Sequence, residues 1–162
     1  MNQTARVAIF AFLDEHDIAY KQHEHEPVFT CEEAERVTGH IPGIDAKTLL
    51  VSGKKSGSFY LVSLPAEKRI DQKQMRGAVG ENVSFAGPED LERMLRTLPG
   101  SVSPLGLIFD ANSEIQKYLI DSDITDAAIV TWHPNDNSQT LEFSQGEFQK
   151  FLELIPHQTT KI

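Results

Sequence analysis

Residues 47–64 read KTLLVSGKKSGSFYLVSL, and this stretch decides the architecture. Two apolar, β-prone runs, 47–52 and 58–64, flank GKKSG, whose glycines supply turn conformations, so the segment predicts a β-hairpin. Working outward, helices and short strands intermingle. Toward the N-terminus, Thr4 is placed to cap a helix carrying Val7, Ile9, Phe10, Phe12 and Leu13 and ending before Asp17-Ile18. Residues 20–26 alternate as a polar strand stopped by Pro27, and Thr30-Cys31-Glu32-Glu33 has the form of a capping box opening a short helix that ends near Gly39. Toward the C-terminus, 71–79 and 88–98 are expected helices, the second with Leu91, Met94, Leu95 and Leu98 as its buried stripe. Short strands are predicted at 105–109, 117–121, 127–131 and 140–143. A last helix is capped by Ser144 with Glu147, and Phe148, Phe151, Leu152 and Ile155 form its apolar face. No regular βαβ rhythm appears, so the expected class is α+β: a curved, mixed, mostly antiparallel sheet surrounded by helices.

A length of 162 residues, 40% hydrophobic and 24% charged, suits a single domain over 1–162. No run of about 18 apolar residues occurs, and the apolar stretch near the N-terminus is too short for a signal peptide, so a cytoplasmic protein without membrane contact is expected. The lone cysteine, Cys31, excludes an internal disulfide. It stands at a predicted helix start, yet with no assignable base beside it a small packed side chain is the better reading. The net charge of −9 argues against coating of DNA or RNA by bulk charge. The charge is polarised, however: residues 47–76 hold seven basic and two acidic side chains, leaving the remainder strongly acidic.

Most catalytic motifs fail. Residues 39–48 lack the glycine that a P-loop needs before its lysine, because Ala46 stands there. No serine sits in a G-x-S-x-G elbow. His23 and His25 would share a strand face, an acceptable start for a metal site, but no third ligand is evident, and neither metal nor cofactor is expected. Three features remain. Gly100-Ser101-Val102-Ser103-Pro104 can bring backbone close to a ligand, His133-Pro134-Asn135-Asp136-Asn137 is a polar turn after an apolar strand ending in Trp132, and Lys47 heads an apolar strand.

Together with residues 25–34, these pieces resemble the YbaK/ProX family of aminoacyl-tRNA deacylases, relatives of the editing domain inserted in bacterial prolyl-tRNA synthetases. His25-Glu26-Pro27-Val28-Phe29-Thr30 with Glu32-Glu33-Ala34 is similar to its H-x-P-V-x-T…EEA signature, Lys47-Thr48-Leu49-Leu50 to K-N-L-F, and Asp71 with Lys73 to D-x-K. Residues 100–104 are similar to its G-x-x-x-P loop, and His133-Pro134 with Asn137 and Thr140 to its H-P…N…T stretch. The resemblance runs from about His25 to Leu152. It implies trans-editing hydrolysis of mischarged tRNA, first of all alanine on the proline tRNA, with cysteine or serine as alternatives. The partners it implies are the tRNA acceptor end with its amino acid and prolyl-tRNA synthetase. By the same resemblance Lys47 binds acceptor phosphate or sugar, and Gly100, Ser101 and Ser103 hold the amino group and ester carbonyl through the loop backbone. His133 shapes the aminoacyl site, while His25, Thr30, Thr48, Pro104 and Asn137 complete the substrate pocket. Thr48 departs from the family's asparagine, and Leu105-Gly106-Leu107 lacks the phenylalanine of alanine-specific members. A non-catalytic module that binds an aminoacyl end or a synthetase stays open, as does a metal enzyme built on His23 and His25.

Overall fold

The computed structural model describes residues 3–162; the side chains of Gln3, Cys31 and Ala34 lie outside that description, and with them the expected packing of Cys31. In chain order the elements are α1 (Gln3–Glu15), β1 (Lys21–Glu24), α2 (Cys31–Thr38), β2 (Ala46–Gly53), β3 (Phe59–Pro65), α3 (Gln72–Val79), β4 (Val83–Phe85) and α4 (Pro88–Leu95). A 3-10 segment (Pro104–Phe109) follows, then β5 (Ile115–Ile120), α5 (Ser122–Thr125), β6 (Ile129–Trp132), β7 (Gln139–Ser144), α6 (Gln145–Leu154) and β8 (Gln158–Lys161).

The hairpin forms as the sequence predicts, with Lys47 opposite Leu64 and Ser52 opposite Phe59. Its turn is held from outside: the Glu81 carboxylate accepts from Lys55 N at 2.7 Å and Ser56 N at 2.9 Å. A side chain at Gly53 would collide with that carboxylate, which explains the first glycine of GKKSG. Strand β4 pairs antiparallel with β2, whereas β5 and β8 add in parallel beyond β3, giving the order β4-β2-β3-β5-β8. The other strands form an antiparallel sheet of order β1-β7-β6. The expected α+β class with mostly antiparallel pairing is what the chain adopts, its strands divided between two sheets that touch at a bridge from Ile44 to Val130.

The period-two alternation of β2 sorts its side chains between two cores. Leu50 faces a large cluster with Leu61, Tyr118, Leu105, Trp132 and Phe148, while Val51 faces a smaller one with Val62, Met75 and Leu119. Ala46 and Thr48 therefore lie on the Leu50 side, and Lys47 and Leu49 on the Val51 side.

Several boundaries differ from expectation. Residues 105–109 are 3-10, not a strand, because Pro104 fixes the first helical position and the Ser103 hydroxyl accepts from Leu105 N at 3.2 Å. Helix α4 stops at Leu95, where Arg96 turns left-handed with φ 52°, and Leu98 is consequently left exposed. Thr4 lies inside the first turn of α1 instead of capping it, and Val7 faces solvent. Strands β4 and β8 and the short α5 had no clear signal: β4 is only three residues long, and the sequence of β8 is polar.

Candidate functional site

A cleft of about 240 Å³ opens where the two sheets meet, with walls from α2, the start of β2, Val102 and the end of β6. The bridge at Ile44 sets this place, since it pulls the segment before β2 against β6. His133, one residue beyond β6, reaches the cleft with a defined tautomer. Its Nδ1 lies 2.7 Å from the Gln139 carbonyl, which can only accept, so Nδ1 carries the proton and Nε2 keeps its lone pair. Burial lowers the His133 pKa, and the neighbouring His25 ring adds to the effect against the Gln139 carbonyl and the Asp136 and Asp45 carboxylates. At neutral pH the ring is an uncharged acceptor.

Thr140 lines the cleft beside it, and the Thr140 hydroxyl lies 2.8 Å from His25 Nε2. His25 Nδ1 in turn meets the Glu26 carbonyl at 2.8 Å, so in its neutral form His25 accepts from Thr140 and stands behind the wall. Two carboxylates that sequence reasoning missed, Glu35 and Asp45, also line the cleft, and among the described lining residues there is no lysine or arginine. Desolvation pushes the Asp45 carboxyl up, reinforced by Glu35 and Glu67 and opposed by His133. No motif marks either residue. Their only signal is that one precedes the Lys47 strand by two residues and the other lies on the short helix after Thr30.

The loop at 100–104 is present but differently employed. Gly100 makes the turn with φ 91°, and only Val102 lines the cleft. Ser101 is buried, with its N–H donating to Leu98 O at 3.1 Å. The Ser103 hydroxyl donates to the His133 carbonyl at 2.6 Å, which makes Ser103 a positioning residue for the histidine. Pro104 is buried at the head of the 3-10 segment. Asn137 is spent on Val28, donating from Nδ2 to its carbonyl at 3.1 Å and so fixing a cleft wall.

Three further expected site residues also lie away from the cleft. Thr30 caps α2 by accepting from Glu33 N at 3.1 Å. Thr48 is buried in a hydroxyl chain, 2.8 Å from Ser63, which is 2.7 Å from Tyr118. Lys47 lines a separate hollow on the reverse face of β2, as alternation after Ala46 requires. His23 bonds Glu142 at 3.0 Å, and no group of three His, Cys, Asp or Glu among the described residues could hold a metal ion. No described helix is long and apolar enough to cross a membrane.

Residues 25–151 match the model of the aminoacyl-tRNA editing domain family. The chain belongs to this family. Among similar proteins, the prolyl-tRNA editing protein ProX of Acetoanaerobium sticklandii is 34% identical over 155 residues, covering 94% of this chain and 93% of that one. The prolyl-tRNA synthetase associated domain-containing protein 1 of Xenopus laevis is 28% identical over 157 residues, covering 94% and 92%. A solved structure described as a candidate trans-editing enzyme for prolyl tRNA synthetase superposes with a TM-score of 0.74 at 21% identity, covering 97% of this chain and 95% of that one. The deacylase class expected from the sequence agrees with membership of the editing domain family.

Proposed function

We propose that this editing domain hydrolyses alanine from the proline tRNA in trans, in the cytoplasm, alongside prolyl-tRNA synthetase. The observation that carries the reading is the composition of the cleft: a neutral His133 and two carboxylates, with no lysine or arginine among the described lining residues, in a volume of about 240 Å³. An aminoacyl ester enters with one positive group, its α-ammonium, which Asp45 and Glu35 attract at the mouth. The side chain then meets Val28, Ile41 and Val102, a wall suited to a methyl group. A side chain larger than a methyl group would press on Val28, Ile41 and Val102 and be refused sterically. Such a second sieve is needed because a proline pocket rejects a smaller side chain by only about 1–3 kcal/mol.

In the reaction, water oxygen adds to the ester carbonyl carbon, the bond to the ribose oxygen breaks, and that oxygen takes the proton. His133 Nε2 accepts a hydrogen bond from the ribose hydroxyl beside the ester, whose oxygen holds the attacking water. The test is release of amino acid from alanyl-, seryl-, cysteinyl- and prolyl-tRNA by the pure protein. Selective release of alanine is expected. Rapid release of proline would overturn the editing assignment, and preference for cysteine or serine would reassign its substrate.

A further inference from the structure

The reverse face of β2 carries a second hollow, of about 540 Å³, with a chemistry opposite to the cleft. Lys47, Lys54 and Arg69 line it, none of them in an ion pair among the described residues, and no described lining residue is acidic. Its floor is apolar, from Leu49 and Val51. Phe85 pairs directly opposite Val51 on the edge strand β4, so its ring stands over the same face. That ring is 70% exposed and has no aromatic neighbour among the described residues. An exposed phenyl on an edge strand is a liability for a free protein. Beside these three cations it makes a stacking platform within a positive groove, the combination that holds unpaired nucleotides.

The hollow and the cleft are adjacent. Ala46 lines the cleft and Lys47 the hollow, on opposite faces of one strand. On the edge of β2 away from β3, the bridge to β6 ends at Ile44, and contact with the β4 side resumes where Ala86 N donates to Leu50 O at 2.9 Å. Between them, at Ala46 and Thr48, no described strand pairs with this edge of β2, although β6 packs close to its start.

We propose that this hollow binds the unpaired nucleotides that precede the esterified one, with a base stacked on Phe85 and phosphates at Lys54, Arg69 and Lys47. The proposal rests on the reading that the substrate is an aminoacyl-tRNA, and it locates the RNA on the face opposite the amino acid.

The experiment measures fluorescence anisotropy of a labelled, uncharged RNA hairpin, once with an unpaired end and once blunt, against the unmutated protein, Phe85→Ala and the double variant Lys54→Ala/Arg69→Ala. Circular dichroism and thermal melts confirm that the variants fold. Binding of the open-ended hairpin is expected to exceed that of the blunt one, and Phe85→Ala is expected to remove on the order of tenfold of that preference. The double variant is expected to weaken both. Equal binding of the two hairpins, or an unchanged preference in Phe85→Ala, overturns the proposal. Hydrolysis of the charged hairpin is followed separately: an unmutated protein that shows the Phe85-dependent preference but releases no amino acid would refute the deacylase reading and leave the hollow's assignment standing.

Discussion

His133 shows how one side chain is prepared by neighbours that do no chemistry themselves. The Gln139 carbonyl fixes its tautomer, Ser103 holds its backbone, and burial keeps it uncharged. Because the folded protein holds its pKa below the ordinary histidine value, deacylation is expected to stay flat as pH falls through the usual histidine range and to decline only below it. A rate profile in His133→Ala that keeps the same acid limb would assign that limb elsewhere. The linked effect on stability has a definite sign: on acidification the unfolded chain takes up the proton first, so stability is lost between the ordinary histidine pKa and the lower folded one. Ser103→Ala strips a hydrogen bond from the His133 carbonyl and a cap from Leu105 N. It should cost about 1–3 kcal/mol in urea unfolding and lower kcat more than it raises KM, since the ring is displaced without being removed. Unfolding curves that superpose with those of the unmutated protein would show that the bond contributes nothing.

At the scale of elements, alternation along β2 separates what the motif Lys47-Thr48-Leu49-Leu50 joins. Thr48 turns inward to Ser63 and Tyr118, and Lys47 turns to the reverse face. Thr48→Val keeps the shape and leaves Ser63 its bond to Tyr118, so the expected cost is about 1 kcal/mol in denaturant unfolding with KM unchanged. A clear rise in KM would return Thr48 to the substrate. The hairpin was legible because its apolar runs and turn residues are local signals, and so were α2 and α6, whose Thr30 and Ser144 hydroxyls accept from Glu33 N and Glu147 N as the capping pattern predicts, while the Glu33 and Glu147 carboxylates turn to Phe29 N and Ala19 N. The 3-10 segment was not, since an apolar LGLIF has no period that separates it from a strand and its conformation is set by Ser103 and Pro104. Nor was the three-residue β4, whose outer edge is satisfied by the Gln72 side chain, bonded both to Val83 O and from Val83 N at 2.9 Å. Of the site, His133 and the neighbourhood of residues 100–104 were legible as punctuated loops. Glu35 and Asp45 were not, because only the bridge between the sheets brings a helix and a strand entry to one cleft.

For the whole molecule the difficulty is electrostatic: a chain of net charge −9 must hold a polyanion. The fold offers a partition: carboxylates line the cleft proposed to receive an ammonium, and three cations with no ion pair among the described residues line the reverse face of the same strand. Long-range repulsion is screened beyond about 8 Å at physiological salt, so a local positive hollow suffices even on an acidic protein. Contact with so few phosphates gives a shallow salt dependence. For three cations on unpaired RNA, the slope of log affinity against log salt should be about −2, and Lys54→Ala should reduce its magnitude by roughly 0.7. Anisotropy titrations of the open-ended hairpin over a range of potassium chloride concentrations measure both. A slope several times steeper would mean that the RNA lies across a wider surface than the hollow, and a flat one would mean that Lys47, Lys54 and Arg69 touch no phosphate.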